Sequence, residues 1–220
     1  MRRLAKALAT AGLFAGVGLV ALKYRVVGCS EASGGEFKPI KEAEMPKGFP
    51  DYTPVGQIEV KQYPAYRKAS TSGMAEFWTL FQHIKQNNVT MTAPVEMDYG
   101  DPRGAKSKER SMSFLYERPD QGSTGKQGSV EVIDVPAMTV VSIGCRGERT
   151  TAAIAEARDK LLKWLEEKKG DYVSAGPMRI MGYNSPFVPR DKNFFEVQIP
   201  VSRQSLDSRS SARSSQASRP

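Results

Sequence analysis

Hydrophobic and polar positions alternate with period two from the start of the folded region. Ile58 and Val60 fall on one side, Glu59 and Lys61 on the other, as in a half-buried strand, and Tyr63-Pro64-Ala65-Tyr66 renews the strand character after a break. The period then changes. Ser70-Thr71-Ser72-Gly73 offers helix-start residues, and Met74, Phe77, Trp78, Phe81 and Ile84 follow at helical spacing until Asn87-Asn88. Gln82, His83 and Lys85 fall away from that stripe. Residues 89–97 read as a strand, with Pro94 marking an edge or bulged position. Residues 98–110, with Gly100, Pro102 and Gly104, read as a hairpin loop before a return strand over 112–116. A second loop covers 119–128, and strands over 130–135 and 138–144 flank Pro136. The clearest helix is 150–169, with Ile154, Ala157, Leu161, Trp164 and Leu165 on one face and Glu156, Lys160, Lys163 and Glu167 on the other. Gly170 supplies its expected C-terminal cap. A strand over 172–183, a two-proline turn over 184–189, and a last strand carrying Phe195, Val197 and Ile199 close the region.

The order strand, strand, helix, strand, strand thus occurs twice. Pro64-Ala65 precedes the first helix, Pro136-Ala137 the second, and the strands that follow meet Pro94 and Pro186. The expected class is α+β: two pseudo-repeated halves forming a curved sheet or distorted barrel, with two helices packed outside.

Charge assigns the remaining segments. The chain of 220 residues carries a net +8, but residues 1–29 hold five cations and no acid, and 202–220 hold four arginines against Asp207. These ends account for the whole excess, so the middle of the chain, 30–201, is neutral overall and we expect its folded domain to lack the basic stripe of a nucleic-acid binder. The apolar run 7–22, ALATAGLFAGVGLVAL, lies between Arg2, Arg3 and Lys6 and the pair Lys23 and Arg25. At 16 residues, it is a little short of the roughly 20 needed to span a bilayer. Membrane anchor, secretory signal and organelle transit segment all remain open, as does a lipoprotein cleavage box at Val26-Val27-Gly28-Cys29. Residues 30–54, rich in Gly, Glu, Lys and Pro, read as a linker, and 202–220 as a disordered Ser/Arg-rich tail.

Reactive side chains are few. Cys29 and Cys145 are the only cysteines and His83 the only histidine, too few for a four-ligand zinc site. Cys145 is expected to be a small buried apolar residue without a disulfide to Cys29. A nucleophile–histidine dyad would need His83 turned toward it, the acids form no paired motif, and a glycine-rich phosphate loop is missing, so we expect a binding domain and not an enzyme, with a hydrolase as the distant alternative.

Two segments carry more than pattern: Asn88-Val89-Thr90-Met91-Thr92-Ala93-Pro94-Val95, and Tyr183-Asn184-Ser185-Pro186-Phe187-Val188-Pro189 followed by Asn193 and Glu196-Val197. Both resemble the SOUL haem-binding family, across about 55–201. The resemblance implies two βαβ-type halves, with haem or a related tetrapyrrole bound in a shallow apolar groove beside the first helix. The groove candidates it implies are Met74, Phe77, Trp78 and Phe81 on the helix and Phe187, Val188, Arg190 and Lys192 in the loop. The family often has a basic residue near position 188, so Val188 leaves propionate pairing to Arg190 or Lys192. His83 lies about 180° around the helix from the Met74–Phe81 stripe. We therefore expect it to be exposed and not an axial iron ligand; Met74 and Met91 are weaker sulfur candidates. An alternative is a protein-interaction module, with a peptide in the same groove.

Overall fold

The structure is a computed structural model, described over residues 29, 37–72, 76–104 and 108–204. In chain order it comprises β1 (Ile58–Tyr63), β2 (Tyr66–Thr71), α1 (Glu76–Gln86), β3 (Val95–Gly100), β4 (Ser111–Leu115), β5 (Gly125–Gln127), β6 (Val130–Val135), β7 (Met138–Arg146), α2 (Thr151–Glu167), β8 (Tyr172–Ser174), β9 (Met178–Gly182) and β10 (Phe194–Arg203). A short 3-10 turn spans Arg190–Lys192. The strands form one curved, unclosed antiparallel sheet in the order β1-β7-β10-β9-β3-β4-β2-β6-β5, with β8 paired to β10. The architecture is therefore α+β, with two helices on a single sheet.

Register places both helices on the same face. Ile143, Val197, Ile180, Met97 and Met112 stand opposite one another across β7, β10, β9, β3 and β4. The first four belong to the core beneath α2, and Met112 bridges that core to the one beneath α1. Side chains one residue away point through the sheet. The opposite face accordingly carries Tyr63, Tyr66, Leu115, Val140, Met181 and Phe194. Helix α2 is amphipathic: Ala153, Ile154, Ala157, Leu161 and Leu165 are buried, and the Thr150 hydroxyl caps it by accepting from Ala153 N at 3.1 Å.

Several expectations are corrected. Residues 37–54 are not a free linker: Phe37, Met45, Phe49 and Tyr52 pack on the face opposite the helices. Gly144 allows this cover to close, because a Cβ there would stand 2.1 Å from the Thr53 carbonyl oxygen. Cys29 and Cys145 are joined in a disulfide, contrary to expectation. Cys145 shares its face of β7 with Val141 and Ile143, where Cys29 also enters the core under α2, and Lys160 Nζ donates to the Cys29 carbonyl at 2.8 Å. Residues 89–94 are not strand; Ala93 N donates to Glu44 O at 3.0 Å and Pro94, after a cis peptide, has no N–H to offer a ladder. The expected 119–128 loop ends in β5, turned into β6 at Gly128, whose φ is 65°. The 172–183 strand is two strands, parted where Ala175 N turns to Pro200 O at 2.8 Å. Lys168, not Gly170, caps α2, its N–H returning to Trp164 O at 2.9 Å. Among the described residues no helix is long and apolar enough to cross a membrane; the run 7–22 and the tail 205–220 lie outside them.

Candidate ligand groove

The helices divide the sheet between them. α1 lies over β2, β4 and β6, and α2 over β7, β8 and β10. Between them, at the end of the β3–β9 seam where Val95 pairs with Gly182, a groove of about 370 Å³ opens, within the range of small-molecule sites. Its floor is Val95, Met97, Met112 and Gly182, all facing the helix side. Phe77 of α1 forms one wall, and Arg149, one residue before the α2 cap, stands on the α2 side. Glu42, Ala43 and the segments Met91-Thr92-Ala93 and Tyr183-Asn184-Ser185-Pro186 complete the lining, so the two motifs quoted from the sequence meet at one place. Thr92 Oγ1 donates to Leu115 O at 2.7 Å, and Asn184 Oδ1 accepts from Phe194 N at 2.9 Å. These bonds fix both segments. Gly182 deepens the floor: a Cβ there would meet Met97 Cε at 3.2 Å and Arg149 Nη1 at 3.3 Å.

Among the described residues expected to form the groove, only Phe77 lines it. Met74 lies outside the described residues. Trp78 is 64% exposed, edge-on to Phe77 at 5.6 Å, and Phe81 packs beside the α1 core. The buried arc of α1 is rotated from the expected stripe, running through Ile84 and Leu80 to His83. Phe187 is 93% exposed beside Pro186, and Val188 is buried. Arg190 pairs with Glu148 at 3.2 Å on the surface, and Lys192 is exposed. Neither basic residue reaches the groove. Met97, Met112, Gly182 and Arg149 were missed. Parity along β3 from Val95 could have found Met97, and the Arg149-Thr150 junction marks where α2 begins.

Contrary to the expectation that His83 is exposed, it is buried, at 6% accessible. Its Nε2 lies 2.9 Å from Tyr116 Oη. Asn87 Nδ2 donates to the His83 carbonyl at 2.9 Å, so the group 3.3 Å from His83 Nδ1 is a donor. Nδ1 therefore accepts, and Nε2 carries the proton toward Tyr116. Burial holds this imidazole below its ordinary pKa. His83 does not line the groove.

A second polar constellation lies through the sheet, on the face covered by residues 37–54. Glu196 accepts from Lys61 Nζ at 2.9 Å, Thr53 N at 2.6 Å, Gln198 Nε2 at 2.6 Å and Ser142 Oγ at 3.1 Å. Glu96 accepts from Tyr66 Oη at 2.6 Å, Arg179 Nη1 at 3.2 Å and Lys68 Nζ. Burial pushes the Glu96 carboxyl up, but Arg179 and Lys68 outweigh it and hold the group below the ordinary carboxylate value. These charges tie β2, β3, β9 and β10 together from behind the seam. Among the described residues no cluster of His, Cys, Asp or Glu could hold a metal ion.

Comparison with known proteins bears on the fold and the family. The fold is similar to the C-terminal domain of EcmrR (20% identity, TM-score 0.51, covering 67% of this chain and 98% of that one). It is similar also to EcmrR in a cryo-EM complex with DNA (19%, TM-score 0.51, covering 67% and 58%). A hydrolase from Listeria innocua is more distant (13%, TM-score 0.47, covering 66% and 92%). No curated protein matches the chain. Residues 49–200 match the family described as SOUL heme-binding protein, and the chain belongs to that family, which is not a family of enzymes.

Proposed function

We propose that this protein binds haem or a related tetrapyrrole in the groove over the β3–β9 seam and carries, buffers or senses it. The observation that carries the reading is the meeting of residues 91–95 and 183–186, almost 90 residues apart, around one apolar groove. A tetrapyrrole is a flat apolar ring with carboxylates at one edge. Val95, Met97, Met112, Phe77 and Pro186 suit the ring, and Arg149 supplies the single cation. The lining offers no imidazole or thiolate; the soft atoms near a bound iron would be the thioethers of Met91, Met97 and Met112. Haemin titrated into the full chain should give a saturable Soret shift. No shift at micromolar haemin would sink the proposal.

The order β6-β2-β4-β3-β9-β10-β7-β1 reads alike outward from its centre, which supports two exchanged halves with the ligand at their junction. The exposed Trp78 and Phe187 flanking the groove favour, as a second reading, a peptide partner in the same place; it predicts specific protein capture without a Soret shift. A hydrolase gains no support. The Cys145 sulfur is bonded to Cys29, and His83 is engaged by Tyr116 and Asn87.

We also propose that the domain works in an oxidising compartment, reached through its basic, apolar N-terminal segment as a cleaved signal or retained anchor. Joining the only two cysteines supports this. It also argues against lipid attachment at Cys29, which would consume the same sulfur. Peptide mapping of natively produced protein without reductant should recover the linked pair; a free or lipidated Cys29 would overturn this placement.

A further inference from the structure

Two charged residues line the groove, and only one is spent within the protein. Glu42 accepts from Ser185 N at 2.6 Å and from Ser185 Oγ at 2.7 Å, so its carboxylate is engaged in holding the 183–186 turn. Arg149 is different. Its Nη1 lies against the Met97 thioether and over Gly182, and a thioether is a weak acceptor and no counter-ion. No carboxylate pairs with Arg149 within 4.0 Å among the described residues, although Glu109 feels its charge. The residue stands on a fixed support. Thr150 next to it caps α2, and Gly147 N donates to Asn193 O at 2.8 Å. Arg149 also borders a smaller cavity of about 240 Å³ between Glu148, Asn193 and Phe194. Its guanidinium thus sits where an apolar floor gives way to polar surface.

Resting on the proposed groove, we infer that Arg149 is the counter-ion for a carboxylate of the ligand, and that the groove selects flat apolar molecules carrying an anionic group at one edge. The ring covers Met97 and Met112, and its acidic edge lies toward the start of α2. Arg190 and Lys192 take no part, being turned to Glu148 and to solvent. The guanidinium fork suits this role because it meets a carboxylate with two parallel N–H donors.

The test compares haemin with its dimethyl ester, which keeps the ring and iron but lacks both charges. The full-length wild type, Arg149→Gln and Arg149→Lys are titrated with each at low salt. The expected result is that Arg149→Gln weakens haemin binding by about tenfold or more, as for loss of a charge-assisted hydrogen bond. The ester should bind wild type and Arg149→Gln alike, and Arg149→Lys should recover part of the haemin affinity. A merely structural role for Arg149 would weaken both ligands together, and that result would overturn the inference, as would haemin binding equally well to wild type and Arg149→Gln. If the wild type binds neither ligand, the groove reading itself falls, a different outcome from either of these.

Discussion

Replacing His83 by alanine separates two roles that a lone histidine in a haem-binding family could play. In the structure it is a packing residue: 6% exposed, with Nε2 2.9 Å from Tyr116 Oη, which is itself buried. Truncation strands that hydroxyl, at about 1–3 kcal/mol, and leaves part of the imidazole volume empty. Together we expect about 2–4 kcal/mol of lost stability, a large share of the roughly 5–15 kcal/mol of an ordinary domain. Urea unfolding measures it, and a double-mutant cycle with Tyr116→Phe should return a coupling of about 1 kcal/mol. The same folded variant, titrated with haemin, should keep its affinity within about twofold, because His83 does not line the groove. The effect depends on pH with a definite sign. Burial depresses the folded pKa below the ordinary 6.5, so the unfolded chain binds more protons between the two values. The contribution of His83 is complete above 6.5 and is lost as pH falls from there through the folded pKa. His83→Ala should therefore lose less stability than wild type between about pH 7.5 and 5.5. Unchanged stability together with loss of haemin binding would refute this reasoning and make His83 a ligand.

Other parts of the fold make sharper demands. Glu96→Gln leaves Arg179 and Lys68 buried without their carboxylate and should cost about 3–5 kcal/mol in denaturant unfolding. The depressed Glu96 carboxyl also predicts acid sensitivity: its stabilisation is present above pH 4.5 and lost as pH falls through the lower folded value, a step that Glu96→Gln should lack in acid titration followed by circular dichroism. Gly144→Ala collides with the Thr53 and Pro54 carbonyls and should release residues 37–54, read as faster amide exchange there, with about 1–3 kcal/mol of destabilisation. Reducing the Cys29–Cys145 link, which closes a separation of 116 residues, should lower stability by up to about 5 kcal/mol. Equal unfolding midpoints with and without reductant would count against that linkage.

Much of the fold was legible because strand and helix periods are strong here. The alternation through Phe195, Val197 and Ile199 and the apolar face of α2 appear in the structure where the pattern places them. Less legible was anything set by a partner distant in sequence. The cover over 37–54 looked like a linker, since Phe37, Met45, Phe49 and Tyr52 are scattered with no period and find their surface only when the sheet exists. His83 looked like a surface residue because a polar side chain reads as outward on a wheel, whereas Tyr116 of a neighbouring segment satisfies it inside. Of the groove, only the α1 wall at Phe77 was legible. The motifs at 91–95 and 183–186 marked the family resemblance without marking the groove they line, its floor depends on strand register, and Arg149 comes from a loop that carries no motif. The expectation that Arg190 or Lys192 meets the ligand followed sequence neighbourhood, and the turn after Pro189 carries both away from the groove.

The most direct test of the account is a haemin titration of the full chain beside its Gly182→Leu variant. A side chain grown from Gly182 first meets the flexible ends of Met97 and Arg149 and then occupies the seam between the helices. The account predicts a saturable Soret shift in the wild type and its loss in a Gly182→Leu protein that still unfolds cooperatively. Undiminished haemin binding by the folded variant would contradict it, and would place the ligand somewhere other than the β3–β9 seam.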